Sequence, residues 1–434
     1  MVRWLRVCDA ALVRARAPRS IPSDRALLRY LAWRVAVGGE APEAVLAALR
    51  LPGPRRPRAI GDAELASVGR ALPRPGPLGP LAFDAEGRAL AAPTDPATAL
   101  GLRHSVPDRF AARLLGALGV REAEACLAAL NRDPVLTLRV NRARTSRAAV
   151  VAALREAGIP ARAGEGRLSV QVEDRAGLFD SEVLRQGLAE VQDEGSQAVL
   201  ALCRPRRSER WLDFCAGSGG KALGLAAAGA RVTAWDASAS RLAELPRRAR
   251  RAGLAVAVAR AEPVGALFDG VLVDAPCSGS GALSREPGAR WRSDDAALER
   301  YAAVQGQVLA RAADLVRPGG ALVYATCSLF REEGEEVVVR FLEGHPAFAL
   351  VSQARRWPHV HPGAGFFLAR LSLAPGGQGA ARREEGSRKA GPGPGRRGGP
   401  SGRRAGLRRG PPSGGVLGCH TPDRAGARKR GPVR

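Results

Sequence analysis

The chain has 434 residues, enough for two or three domains with a sizeable buried core. Its formal net charge is +25, and the last sixty residues hold about half of that excess, with fifteen Lys or Arg against three acids. Such a balance favours a polyanion, nucleic acid first, through phosphate neutralisation and counterion release, although a GC-rich coding bias toward Ala, Arg, Gly and Pro also produces positive charge. Seven widely spaced cysteines with no CxxC or Cys/His pair speak against a zinc site or a disulfide framework. The first twenty residues hold five arginines and no long apolar core, and no apolar run approaches the roughly 18 residues a membrane helix needs. The expectation is a cytoplasmic protein with reduced thiols, no metal and no membrane segment.

Residues 1–130 read as a helical domain. Leu27, Leu28, Leu31 and Val35 share one helical face with Ser23 placed to cap it, Pro42 opens a second helix through Leu49, and Asp62 is positioned to cap a third. Pro73-Arg74-Pro75-Gly76-Pro77 breaks regular structure, and the stretch to about Leu100 reads as loop. Phe110, Leu114, Leu115 and Leu118 form another apolar stripe, followed by a helix to Leu130. Residues 131–205 read as a small α+β subdomain. Leu136, Leu138 and Val140 alternate with Thr137 and Arg139 as in a strand. A helix capped near Thr145 or Ser146 carries Val150, Val151 and Leu154 and ends at Gly158, and Leu168–Val172 alternates again. Arg139, Arg142, Arg144 and Arg147 either meet phosphates or form a solvated face.

Residues 206–374 alternate strand and helix in the manner of an α/β doubly wound sheet. The strands are Trp211–Phe214, Arg231–Trp235, Ala255–Val258, Val271–Val273 and Ala321–Tyr324. A long helix runs from about Asp294 to Val316 and stops at Pro318-Gly319-Gly320, and Phe366–Leu371 closes the sheet. From 375 to 434, Gly, Pro and Arg dominate, and the composition predicts a disordered basic tail that adds sequence-independent affinity for RNA.

Asp213-Phe214-Cys215-Ala216-Gly217-Ser218-Gly219-Gly220-Lys221 follows a strand and opens a helix. Glycines let a ligand approach the backbone, and a helix N-terminus offers free N–H groups, which suits a nucleotide-like cofactor. The GxxxxGK[ST] spacing of a phosphate loop is absent. Asp236, at the end of the second strand, is placed to accept from ribose hydroxyls; the alternative is a tight turn with no ligand. Lys221 is the sole lysine of the first 388 residues, and a compact ammonium enters a tight site where a guanidinium fork does not, which marks it as a site residue. Two cysteines lie just past strand-like runs, in Asp274-Ala275-Pro276-Cys277-Ser278-Gly279-Ser280-Gly281 and in Tyr324-Ala325-Thr326-Cys327-Ser328. Ligands of open parallel sheets sit outside the carboxyl ends of the strands, so two thiols and a carboxylate are expected to face one substrate beside the cofactor loop.

These motifs resemble those of the Sun/Nop family of RNA cytosine-5 methyltransferases, in its bacterial ribosomal-RNA branch. The family patterns read approximately DxCAAPGGKT, DAPCSGTGxxRRxPxxRW and YxTCSxxxEENE, and they fall here at 213–222, 274–291 and 324–335. The likeness covers about residues 130–374, including Leu138-Arg139-Val140-Asn141 and Gln192-Asp193. More loosely, the N-terminal helices resemble the NusB-like domain of some members. The resemblance implies a Rossmann-like domain that binds S-adenosylmethionine, an RNA partner (ribosomal ahead of transfer RNA), and a monomer. By the same resemblance Cys327 is the nucleophile toward carbon 6 of cytosine and Cys277 helps release the product. Asp274 would hold the exocyclic amine and ring nitrogen, and Lys221 would add positive charge near the base or the cofactor carboxylate.

Cys215, Ala216, Gly217, Ser218, Gly219, Gly220, Lys221, Asp236, Glu262 and Asp274 are the implied cofactor residues, with Glu262 meeting the adenine amine. Arg285, Arg290 and Arg292, around Trp291, are the implied RNA contacts, joined by Arg139 and Asn141. Glu332, Glu333 and Glu335 read as helix N-terminal acids that complement the dipole. Cys8, Cys126, Cys203 and Cys419 are expected to be inert, and Cys215 to pack. The chain departs from the pattern in having Gly217-Ser218 for Ala-Pro and Ala364 for Asp. Two competing readings are a DNA cytosine-5 methyltransferase, which would use the Pro-Cys motif alone and leave Thr326-Cys327 unexplained, and a ribosome-assembly factor that binds RNA without catalysis.

Overall fold

A computed structural model describes residues 95–376, apart from 105, 133, 287–288 and 291–293, together with the short antiparallel pair β1 (Ala82–Phe83) and β2 (Ala89–Leu90). The helices expected before residue 82, the Pro73–Pro77 break, the basic tail, Cys8, Cys419, Trp291 and Arg292 lie outside the described residues.

The stretch expected to remain loop up to Leu100 instead holds α1 (Pro96–His104). Proline at the first helical position costs no hydrogen bond, and the Asp95 carboxylate accepts from the Thr98 N–H at 2.8 Å, so the helix has both a start and a cap. Next comes α2 (Asp108–Leu130), broken at Gly119, whose φ of 74° no helix interior adopts. Leu100, Phe110, Leu114 and Leu127 bury their faces together with Leu283, Leu298, Leu329 and Phe330 from much later in the chain.

A four-stranded antiparallel sheet follows in the order β4-β5-β3-β6. Its elements are β3 (Leu136–Val140), α3 (Arg147–Glu156), β4 (Ala161–Ala163), β5 (Ser169–Val172), α4 (Glu182–Arg185) and β6 (Ala189–Val191). That order and the βαββαβ succession make a ferredoxin-like plait. Ser146 caps α3 by accepting from the Ala149 N–H, and Gly158, at φ 74°, turns the chain out of it.

The third part is a Rossmann-like sheet. In chain order it comprises α5 (Glu194–Cys203), β7 (Arg210–Asp213), α6 (Gly220–Ala227), β8 (Arg231–Ala234), α7 (Ala239–Leu242), α8 (Leu245–Ala252), β9 (Val256–Val258) and β10 (Phe268–Asp274). It continues through α9 (Asp295–Ala313), β11 (Val316–Thr326), α10 (Glu335–Gly344), β12 (Phe348–Arg356) and β13 (Phe366–Leu373). Strand order is β12-β13-β11-β10-β7-β8-β9, with β7 to β11 parallel and β13 antiparallel to both its neighbours. Successive strands step one way from β7 to β9 and the other way from β10 to β11. The topological switch point therefore lies between β7 and β10, where such folds open their ligand crevice. One face of the sheet packs on α9 and α10, the other on α5, α6 and α8.

Two sequence expectations change here. Helix α9 ends at Ala313 rather than at Val316, because Val316 pairs with Phe268 and the Leu315 carbonyl accepts from the Phe268 N–H. Pro318-Gly319-Gly320 then forms an irregularity within β11 instead of stopping a helix. Phe366–Leu371 does not close the sheet but lies inside it. The edge is β12, unpredicted because only Phe348 of its nine residues is fully buried and no alternation shows. Gly270, in the middle strand, has no room for a side chain: a Cβ there would lie 2.4–2.6 Å from three carbons of the buried Trp211 ring. Gly270→Ala should destabilise the fold by about 1–3 kcal/mol, read as a lowered urea midpoint.

Candidate active site

At the end of β7 the chain turns through Cys215-Ala216-Gly217-Ser218-Gly219 into α6. Gly217 and Gly219 take φ of 53° and 80°, and a Cβ on Gly219 would lie 2.3 Å from the Leu245 side chain. Both position and packing therefore require glycine there. The loop is fastened from several sides. Ala216 N–H donates to the Trp235 carbonyl, and Gly217 N–H donates to Asp236 Oδ2 at 2.8 Å. Arg248 donates to the carbonyl and hydroxyl of Ser218, and Arg139 donates to the Gly220 carbonyl at 2.5 Å.

Asp236 is buried, its second oxygen accepts from the Ser238 N–H, and Arg241 stands 3.4 Å away. A left-handed glycine turn, the unpaired first-turn N–H groups of a helix and a strand-end carboxylate together fit a nucleoside-type cofactor. Cys215 packs beneath, and burial pushes its thiol up.

Across the switch point, Asp274 ends β10 and meets the Lys221 ammonium at 2.5 Å. Burial works against the charge on Lys221, but contact with Asp274 and the negative fields of Asp213 and Cys327 outweigh it and lift its pKa. Lys221 is therefore an ammonium at neutral pH. Asp213 is fully buried, and the Ala222 N–H faces its carboxyl without reaching ordinary hydrogen-bond geometry. Burial, opposed by Lys221 and reinforced by Asp274, pushes its carboxyl up to about 7.

The loops after β10 and β11 bring the two cysteines together, with Cys277 Sγ and Cys327 Sγ 3.3 Å apart. Contact with Cys327 raises the Cys277 thiol well above its ordinary range, followed by burial, the Cys327 charge and the Glu333 charge. Cys203 and Cys126 are buried thiols, the latter pushed up to about 12 by burial alone, and neither reaches the site.

The expected acids behave differently from one another. Glu332 pairs with Arg113 at 2.7 Å, and Glu335, the one in the first turn of α10, pairs with Arg355. Glu333 is fully buried and accepts from Ser278 N–H, Ser278 Oγ, Ser328 Oγ and Gln305 Nε2. The dipole reading does not hold for Glu333. Nothing in the run Arg331-Glu332-Glu333 distinguishes that residue, so the sequence carried no signal for its bridging position.

Several expected RNA contacts are not presented to solvent. Arg139 is 4% exposed and also donates to Gln192 Oε1, while Asn141 donates to the carbonyls of Gly187 and Ala252. Both tie the plait to the cofactor half of the sheet. Arg290 is 1% exposed and donates to the His104 carbonyl and to Asn131 Oδ1, fastening α1 and α2. Of the expected contacts among the described residues, Arg285 stays half-exposed, 3.2 Å from Asp193. Glu262 is engaged by Arg311 through both oxygens. Ala364, standing where Asp was expected, donates its N–H to the Asp193 carboxylate.

Because Asp213 holds its proton more tightly folded than unfolded, folding takes up a proton between about pH 4 and pH 7, and stability falls as pH rises through that window. Asp213→Asn removes the group. Its stability relative to wild type should therefore rise with pH, by up to about 1.4 kcal/mol per unit, as denaturation midpoints across that range would record.

Residues 200–372 match the model of the 16S rRNA methyltransferase RsmB/F family, and residues 106–173 match the ferredoxin-like domain of RsmF/B-like methyltransferases. Ribosomal RNA small subunit methyltransferase B of Erwinia tasmaniensis is 34% identical over 258 residues, covering 56% of this chain and 60% of that protein. A probable ribosomal RNA small subunit methyltransferase B of Synechocystis is 31% identical over 306 residues, covering 63% of this chain and 68% of that one. The chain thus spans between 60% and 68% of the length of these curated relatives. The crystal structure of a methyltransferase homologue protein from Pyrococcus horikoshii superposes with a TM-score of 0.58 at 23% identity, over 65% of this chain and 100% of that one, a likeness of fold. With the switch-point crevice, the plait and both cysteine loops matched, the chain belongs to the RsmB/F family of 16S rRNA methyltransferases.

Proposed function

We propose that this protein methylates carbon 5 of a cytosine in small-subunit ribosomal RNA, with S-adenosylmethionine as methyl donor. The observation that carries the reading is the pair of sulfurs 3.3 Å apart at the carboxyl ends of β10 and β11, beside the Lys221–Asp274 pair and the glycine loop. The likeness to the RsmB/F family supports the RNA substrate. Bound S-adenosylmethionine supplies an electrophilic methyl group on a sulfonium. Gly217, Ser218, Gly219, Gly220 and Asp236 would hold it, the glycine turn letting its amino-acid end approach the backbone closely and the carboxylate matching its ribose end.

Carbon 5 of cytosine is a poor nucleophile until the ring gains electrons. The Cys327 thiolate adds to carbon 6, forming a sulfur–carbon bond and moving the carbon 5–carbon 6 π pair toward carbon 5. Asp274 accepts from the exocyclic amine, while Lys221 keeps Asp274 oriented and sets positive charge beside the ring as negative charge accumulates on its nitrogen. A free thiol is only a few per cent ionised near neutrality, so the adjacent ammonium matters to the rate. Once carbon 5 is substituted, a base at the site or a water takes its proton, that C–H electron pair re-forms the carbon 5–carbon 6 double bond, and the Cys327 sulfur departs as thiolate with the electrons of the sulfur–carbon bond. Cys277 assists that release from 3.3 Å away.

The test is a pair of variants assayed on small-subunit ribosomal RNA. Cys327→Ala should abolish methylation and give no covalent species. Cys277→Ala should slow turnover by roughly a hundredfold or more and accumulate a protein–RNA adduct that survives denaturing electrophoresis. Methylation persisting in Cys327→Ala would remove the reading.

A further inference from the structure

Glu333 is fully buried and accepts hydrogen bonds from both cysteine loops. Its Oε1 accepts from the Ser278 N–H at 2.8 Å and from Gln305 Nε2 at 3.1 Å. Oε2 accepts from the Ser278 hydroxyl at 2.5 Å and the Ser328 hydroxyl at 2.6 Å. Four donors fill the acceptor capacity of a carboxylate, and none of the four is charged. Ser278 and Ser328 are the residues immediately after Cys277 and Cys327.

The surroundings leave Glu333 little freedom. Its own carbonyl accepts from the Tyr324 hydroxyl at 2.9 Å and the Thr326 hydroxyl at 3.1 Å, which pins its backbone to β11. Gln305, also fully buried, reaches the Pro276 carbonyl at 2.9 Å with the same amide nitrogen that serves Glu333. Ser280 Oγ and Ser328 Oγ lie 3.1 Å apart, and Ser280 Oγ accepts from the Leu329 N–H, so the two loops are joined a second time beside the acid.

We propose that Glu333 is a positioning residue for the thiol pair: by clamping the serines that follow both cysteines, it sets the sulfur–sulfur separation. Its acceptor positions are taken up by these protein donors. Its charge has a second effect, since it helps hold the proton on Cys277. The consequence for turnover rests on the methyltransferase reading; the consequence for geometry does not.

The experiment uses Glu333→Gln in the full chain. That change keeps the shape but puts an amide donor against Ser278 and Ser328. The first readout is the rate at which diamide closes Cys277 and Cys327 into a disulfide, followed by peptide mass mapping; diamide takes up the two hydrogens and becomes the hydrazine. Closure should slow about tenfold or more, as expected when two reacting atoms lose their held approach. S-adenosylmethionine affinity by calorimetry should stay unchanged, and kcat should fall with little change in the KM for RNA.

Wild-type closure together with wild-type kcat would overturn the proposal. Should Glu333→Gln not fold, Ser278→Ala and Ser328→Ala each cut one arm and should each slow closure; normal closure in both would equally overturn it. Slowed closure in a protein that never methylates RNA would uphold the positioning role and dismiss the methyltransferase reading.

Discussion

The site is organised by one buried charge arrangement: a single ammonium, Lys221, set among Asp274, Asp213 and Cys327. Burying an isolated charge is expensive, and burying several of one sign at neighbouring strand ends is worse. The ammonium makes the cluster possible because it reaches across the switch point from α6 to β10. Part of the cost remains visible in Asp213, which lowers its own charge by holding a proton. An arginine would bring the same charge but with a planar fork that needs several aligned acceptors, and only Asp274 bonds this cation.

Around that charge cluster, the loops are held from behind by polar side chains that never face the crevice. Arg248 and Arg139 fix the cofactor loop, and Arg248 and Arg251 are themselves anchored by Glu190 of the plait. Glu333 and Gln305 fix the cysteine loops. These are groups with few low-energy alternatives, since each buried donor or acceptor left unpaired costs about 1–3 kcal/mol. Preorganisation of reacting atoms is thereby distributed over the plait, the sheet and the helices that pack on it.

Much of this was legible in the residues. Strand-like runs ending at Phe214, Trp235, Val273 and Tyr324 placed the strand ends within one or two residues of Asp213, Ala234, Asp274 and Thr326, and the Gly-rich turn and the lone lysine marked the crevice. What could not be read was which face a polar residue takes. Arg139, Arg290 and Asn141 lie in basic or polar stretches that look solvated. Their burial depends on carbonyls of Gly220, His104 and Ala252, far away in sequence, that only the assembled fold brings near. Glu333 was obscured for the same reason, since its donors come from three separate segments. Edge strand β12 was missed because an exposed edge lacks the alternation that a half-buried strand displays.

The packing of α1 and α2 has a consequence for modularity. Phe110 meets Phe330 edge-on at 5.0 Å, and the same apolar patch takes in Leu283 and Leu329. Phe330 lies three residues after Cys327, and Leu283 six after Cys277. A fragment cut at the start of the Rossmann-like sheet would retain every reactive atom yet lay this greasy underside bare to water. Helices α1 and α2 therefore act as the keel on which the two cysteine loops are laid, and a cut near residue 205, where the strand–helix alternation begins, would strip those loops of it.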